Sequence, residues 1–220
     1  MPNWCYNTLL IEAEPQVIAK IKAQLSAPYE SKHQDFPSEE WITETVQKDL
    51  SFWNITRPPD DKTGEYHGTH GYANGEKQGD TEWNWYNWNI HNWGVKWDAS
   101  EPELAEESEI SLQYRFNTPW GVAEGAMLSL SQQYPDVGFN LEFEEETGWG
   151  GEVEFTNGVS VVIQEYTSRC RQCSALDTLE SCKKCDNYLC SKCNYGEFID
   201  EDTLKECEIH KHLANEEVKA

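Results

Sequence analysis

An α+β fold, with an antiparallel sheet carrying helices on one face, is what this sequence predicts, and three observations predict it. Ile110, Leu112, Tyr114 and Phe116 alternate with polar residues, as do Val137, Phe139, Leu141 and Phe143. Period-two alternation is the mark of a half-buried strand. Between these runs Val122, Ala126, Met127 and Leu130 recur at helical spacing. Cysteine placement then sets off a second, smaller part: of eight cysteines only Cys5 precedes residue 170.

Tyr6–Ala13 reads as the first strand. Glu14-Pro15 opens a helix with Pro in its first turn and Val17, Ile18, Ile21 and Leu25 on one face. A second helix is predicted after Pro37-Ser38, because Ile42, Val46 and Leu50 lie four apart. Asp60–Thr81, rich in Gly, Asp and His without apolar periodicity, reads as a long loop. After the strand ending at Phe116, Thr118 as N-cap and Pro119 at the first helical position open the central helix. Following the second alternating run, Gly148–Gly151 makes a turn and Val153 and Phe155 continue the strand pattern. Thr156-Asn157-Gly158 then turns into Val159–Ile163. Strand, helix, then strands again gives the sheet with helices on one face.

Charge divides the chain at the place where cysteine does. The 220 residues carry 40 acidic and 17 basic side chains, a net of −23. Residues 1–166 hold 29 acidic and 9 basic groups, and residues 167–220 hold 11 and 8. An acidic domain over 1–166 and a Cys-rich module over 167–220 follow, with the boundary near Thr167-Ser168. Only 38% of residues are hydrophobic, yet 12% are aromatic, including ten tryptophans, which excludes a disordered acidic tail. No apolar run approaches the ~18 residues of a membrane span. The opening Met1-Pro2-Asn3-Trp4-Cys5 lacks a basic region followed by an apolar stretch, so no secretory signal and a cytoplasmic setting are expected. The negative charge argues against unaided binding to a phosphate backbone, where basic groups must displace counterions.

The strongest motif is the cysteine cluster. Cys170-x2-Cys173, Cys182-x2-Cys185 and Cys190-x2-Cys193 are separated by eight and then four residues, and Cys207-x2-His210 and His212 follow. A Cys-x2-Cys turn presents two thiolates to one tetrahedral ion at about 2.3 Å. Cys170, Cys173, Cys182, Cys185, Cys190, Cys193, Cys207 and His210 are enough for two zinc sites, each closed by protein ligands and therefore structural rather than catalytic. The reducing compartment expected argues against a disulfide framework, and the repetition against a redox pair. The short gap between the second and third pairs favours interleaving: Cys170, Cys173, Cys190 and Cys193 on one zinc, Cys182, Cys185, Cys207 and His210 on the other. Sequential pairing with His212 replacing one ligand is the alternative. In ligand spacing alone the segment resembles cross-brace zinc fingers such as PHD, FYVE, B-box and RING modules. The FYVE basic motif and a Trp shortly before Cys207 are missing, so lipid binding and histone reading do not carry over.

Four separated segments carry a second resemblance: Met1-Pro2-Asn3-Trp4-Cys5-Tyr6-Asn7, His91-Asn92-Trp93-Gly94-Val95-Lys96-Trp97-Asp98-Ala99, Phe116-Asn117-Thr118-Pro119-Trp120 and Leu128-Ser129-Leu130-Ser131-Gln132-Gln133-Tyr134-Pro135. In this order they resemble the phage and plasmid family with a YubB-like ferredoxin-like domain, over roughly residues 1–160. The resemblance implies a ferredoxin-like sheet in a mobile-element protein of a bacterial host cytoplasm. It brings no catalytic residues, because that family has no assigned activity.

Within the acidic domain three features are candidates for function. Trp83, Trp85, Trp88, Trp93 and Trp97 crowd a short window. Trp93 and Trp97 are expected to pack as a core corner, with Lys96 and Asp98 paired. That leaves Trp83, Trp85 and Trp88 for contact with a partner. His67 and His70, with Asp60, Asp61 and Glu65, could bind a metal, but no helical frame or third ligand fixes such a site. Glu142 and Glu144 alternate with Leu141 and Phe143, and Glu152 and Glu154 with Val153 and Phe155. In a hairpin these four glutamates share the outer face, where like charges set opposite one another cost roughly 0.2–1 kcal/mol per pair. Glu101, Glu103, Glu106, Glu107 and Glu109 form a second acidic run.

Such a surface is either a solubilising face or a docking face for a basic partner, such as a host nucleic-acid-binding or defence protein. The second is the reading adopted: a non-enzymatic interaction protein, possible as a homo-oligomer, with no membrane role. Two alternatives stand beside it. One is a nucleic-acid binder using the tail cations Arg169, Arg171, Lys183, Lys184 and Lys192. The other is a hydrolase acting through His67 and His70, for which no Ser/His/Asp set, phosphate loop or open metal site speaks.

Overall fold

The computed structural model describes residues 2–34, 41–57 and 85–167, together with four two-residue strand fragments. Met1–Glu145 and Glu152–Ile163 make one compact unit, and residues 146–151 and 164–220 another.

Alternation builds the first strand, β1 (Trp4–Glu12): Cys5, Asn7, Leu9 and Ile11 are buried and the residues between them are not. Helix α1 (Pro15–Leu25) has Pro in its first turn, where a missing N–H costs nothing, and buries Ile18, Ile21 and Leu25. Its last carbonyls need donors. Ser26 N and its hydroxyl donate to Lys22 O, Ala27 N donates to Gln24 O, and the Asn54 amide reaches Leu25 O at 3.0 Å and, just past the helix, Ala27 O at 2.8 Å.

The helix expected after Pro37-Ser38 is a strand. β2 (Tyr29–Gln34) and β3 (Trp41–Val46) form an antiparallel hairpin running from Tyr29↔Val46 to Gln34↔Trp41. Trp-Ile-Thr-Glu-Thr-Val is rich in β-branched residues, which are stiff in a helix and suit a pleated surface. The four-residue spacing of Ile42, Val46 and Leu50 was therefore coincidental. A single 3-10 turn, Phe52–Asn54, follows, capped by the Ser51 hydroxyl accepting from Trp53 N. In the span expected as a long loop, the fragments β4 (Tyr72–Ala73) and β5 (Glu76–Lys77) pair; the rest of it lies outside the described residues. Helix α2 (Trp85–Trp93) ends at Gly94, whose φ of +85° suits the left-handed position closing a helix and whose N–H donates to Ile90 O.

β6 (Ser100–Glu107) and β7 (Ser111–Pro119) form a hairpin, α3 (Glu124–Gln133) returns across the sheet, and β8 (Gly138–Glu145), β9 (Gly150–Thr156) and β10 (Val159–Tyr166) complete it. The expected start of the central helix moves. Thr118 and Pro119 belong to β7, held there by pairing with Cys5 and Trp4, and α3 begins at Glu124. The Thr118 hydroxyl donates to Gly121 O instead of capping a helix. Asn157 and Gly158, at φ 49° and 75°, make the tight turn between β9 and β10. A last fragment pair is β11 (Glu180–Ser181) with β12 (Tyr188–Leu189).

The six strands stand in the order β10-β9-β8-β1-β7-β6. With residues 26–99 read as an insertion, β1-α1-β6-β7-α3-β8 in spatial order β8-β1-β7-β6 is the ferredoxin-like arrangement of two interleaved βαβ units. β9 and β10 extend its β8 edge. Leu9, Ile11, Leu112, Tyr114, Phe116, Phe139 and Leu141 meet Ile18, Ile21, Met127 and Leu130 in one core. α2 and α3 approach so closely that a Cβ on Gly125 would lie 2.6 Å from Asn92 O. No helix among the described residues is long and apolar enough to cross a membrane.

Candidate functional site on the open face of the sheet

Because Cys5, Asn7, Leu9 and Ile11 turn toward the helices, Trp4, Tyr6, Thr8, Leu10 and Glu12 turn the other way. Cross-strand pairing then fixes what lies beside each of them. Tyr6 stands between Asn117 and Glu144, Thr8 between Arg115 and Glu142, and Leu10 between Gln113 and Asn140. On the far side of β7, Glu103 pairs with Arg115 and Glu106 with Gln113. Glu101 accepts a hydrogen bond from the Asn117 side chain at 3.2 Å. The second acidic run thus reaches the face predicted for the first. Glu107, of opposite parity, pairs with Lys22 of α1 at 2.6 Å on the helix side.

Glu142, Glu144, Glu152 and Glu154 share the open face, and the two on β9 are set beside neutral neighbours of β8. The Asn140 amide donates to Glu152 at 2.6 Å, and Glu154 has Gly138 beside it, 3.5 Å from where a Cβ would stand. The β9 glutamates therefore meet an amide and a glycine, which disperses the charge. Rows of strands stand about 4.8 Å apart and like-facing residues about 7 Å along a strand. The result is two flanks of carboxylates, on β8–β9 and on β6, in which Arg115 is the one Lys or Arg among the residues of these rows. Such a face carries a field of predominantly one sign.

At the β1 N-terminal end the face becomes aromatic. The rings of Trp4 and Trp97 lie 6.2 Å apart and those of Trp97 and Trp120 5.7 Å apart. The Lys96 ammonium sits over three rings: Trp97 at 4.8 Å, Tyr86 at 5.4 Å and Trp120 at 5.8 Å. Here the expectations from sequence change. Trp88 is only 6% exposed, wedged edge-on against Trp93 at 5.5 Å, so it is a core residue and not a contact residue. Trp85 opens α2, and Trp83 lies outside the described residues. Trp93 is buried as expected, whereas Trp97, expected beside it, is 36% exposed. Trp120 was missed; it is 53% exposed and has a φ of 63°, a conformation that no local pattern announces. Lys96 does not pair with Asp98. That carboxylate accepts instead from Lys48 at 3.1 Å, Ser51 Oγ at 2.8 Å and Phe52 N at 2.6 Å.

Cys5, the cysteine among the described residues, is not a ready nucleophile. Cys5 is fully buried and desolvation pushes its thiol up to about 12, which keeps it protonated. The expected zinc ligands Cys170, Cys173, Cys182, Cys185, Cys190, Cys193, Cys207, His210 and His212 lie outside the described residues, as do His67, His70 and the tail cations. Among the described residues no group of three or more His, Cys, Asp or Glu could hold a metal ion.

No curated protein matches the chain. The structure of protein api92 from Yersinia pseudotuberculosis is 11% identical, covering 76% of this chain and 99% of that one with a TM-score of 0.47. Residues 92–186, a span that takes in β6 to β10 and α3, match the family model described as the ferredoxin-like domain in Api92-like protein.

Proposed function

We propose that this chain is a non-enzymatic interaction protein of a phage or other mobile element, which docks a basic, nucleic-acid-binding host protein on its open sheet face. The observation that supports this reading is the convergence of Glu101, Glu103, Glu106, Glu142, Glu144, Glu152 and Glu154 on one face with Arg115 as the basic residue of the rows. Carboxylates held on strands keep fixed spacing, and a field of one sign speeds encounter with a basic cleft. Capture of such a protein from bacterial lysate is expected at low salt, with release at high salt and competition by duplex DNA. Reversing Glu142 and Glu144 to Lys should weaken that binding by roughly tenfold or more, chiefly through slower association. Recovery of RNA or DNA in place of a basic protein would reject this reading in favour of direct nucleic-acid binding.

The reading gives the tail a separate role as a metal-held module. Cys170, Cys173, Cys182, Cys185, Cys190, Cys193, Cys207 and His210 would bind about two zinc ions per chain, since each structural site takes four ligands. Elemental analysis of the full chain checks the stoichiometry. Chelation is expected to unfold residues 167–220 while leaving the sheet's circular dichroism in place. A metal-free tail, or one indifferent to chelator, would remove the module.

A further inference from the structure

The box around Lys96 is a built feature. Tyr86, Trp97 and Trp120 come from α2, the segment after it, and the residue following β7, yet all three rings stand within 5.8 Å of one ammonium. All three are also exposed, at 46%, 36% and 53%. Trp120 holds its place at a φ of 63°, a region that bulky side chains avoid and that persists only where surroundings impose it. Its backbone N–H donates to Asn3 O at 2.8 Å, tying it to the residue before β1. The Lys96 backbone is fixed as well, its carbonyl accepting from the buried Asn89 amide at 2.8 Å. Strain of this kind is more often kept for binding than for folding.

Three π faces around one point make a receptor for a cation, and the chain's own lysine shows that the spacing fits one. Lysine is a poor final occupant, because its ammonium is compact and strongly hydrated. A guanidinium is planar, less hydrated, and stacks on aromatic faces. We infer that Tyr86, Trp97 and Trp120 form a receptor for an arginine side chain of a basic partner protein, with Lys96 as the intramolecular occupant that the arginine displaces. This rests on the docking role proposed above, and it places an aromatic anchor at the end of the acidic face, where Trp and Arg commonly dominate interface energy.

The test uses the full chain, labelled with nitrogen-15 and titrated with N-acetyl-arginine amide at constant chloride, read at the tryptophan indole N–H resonances. Saturable shifts are expected at Trp97 and Trp120 and none at buried Trp93. Blocked lysine should bind more weakly. Removing the internal competitor in Lys96→Ala should tighten arginine binding by about fivefold. Trp120→Gly should lose it while keeping its circular dichroism, because glycine takes a positive φ without strain; Trp97→Leu should lose it too. Absence of saturable shifts in both the wild type and Lys96→Ala overturns the inference, as does equal affinity for blocked lysine or an unaltered titration in Trp120→Gly. The Glu142→Lys/Glu144→Lys variant separates the two readings. Salt-sensitive capture of a basic protein without arginine binding would remove the box alone. Arginine binding without such capture would keep the box and reject docking on the acidic face.

Discussion

Replacing Trp93 by Ala is expected to destabilise the sheet domain by about 3–5 kcal/mol, the range found for large aromatic truncations in a packed core. Trp93 ends α2 with 2% of its surface exposed. It packs edge-on against Trp88 at 5.5 Å and tilted against Phe52 at 6.0 Å, and Phe52 in turn meets Phe116 of β7 at 5.8 Å. The indole thus braces Phe52, the ring through which the inserted segment meets the central sheet. Its N–H also donates to Thr56 O at 3.0 Å, so truncation opens a cavity and removes that carbonyl's donor. Trp93→Phe should fall between, losing the hydrogen bond, about 1 kcal/mol, and part of the packing. Urea denaturation followed by circular dichroism checks both, since ten tryptophans make fluorescence hard to apportion. A loss below about 1 kcal/mol for the alanine variant would show that the contact of Phe52 with the sheet does not depend on this indole.

Asp98→Ala is expected to cost about 2–4 kcal/mol, although an isolated surface ion pair contributes far less. The difference lies in how many donors one carboxylate serves. One oxygen accepts from Phe52 N at 2.6 Å and Ala99 N at 2.8 Å; the other accepts from Ser51 Oγ at 2.8 Å, Lys48 Nζ at 3.1 Å and Tyr29 OH at 3.2 Å. Burial and the Asp98 charge together push the Tyr29 phenol well above its ordinary value, so it remains a donor. Removing the carboxylate strands two backbone N–H groups and frees the 3-10 turn that carries Phe52. Asp98→Asn should not rescue the loss, because its amide brings a donor toward other donors. Because Asp98 and Trp93 both act on Phe52, the double variant should lose less than the sum of the two single losses. Strict additivity would mean that the turn does not depend on the carboxylate.

Much of the sheet was legible from local pattern. Leu112, Tyr114 and Phe116 and then Phe139, Leu141 and Phe143 alternate because one face of each strand is buried, and that requirement is written directly into period two. Pro15 placed α1, and Asn157-Gly158 placed a tight turn, since each residue restricts its own backbone. The hairpin geometry of Glu142, Glu144, Glu152 and Glu154 followed from the same parity. The family likeness and the parity agree on a ferredoxin-like sheet, for which residues 92–186 and the strand order speak independently.

Elsewhere local pattern misled. Ile42, Val46 and Leu50 at four-residue spacing imitate a helix, and only pairing with Tyr29–Gln34 shows the strand. Thr118-Pro119 has the look of a helix start, yet register with β1 keeps it in the sheet. The tryptophan window could not be sorted either, because Trp88 and Trp97 differ only in which way α2 and the following segment turn.

The sequence by itself determined which residues alternate, where the chain turns and that its first 166 residues are strongly acidic, all properties of neighbours along the chain. Tertiary structure alone decided that β1 lies between β7 and β8, and so that two acidic runs far apart in sequence meet on one face around Arg115. It also decided that Lys96 meets Tyr86, Trp97 and Trp120 rather than Asp98. The reason is that long-range pairing selects among locally equivalent backbones through the energy of a shared core, and no local spacing carries that information.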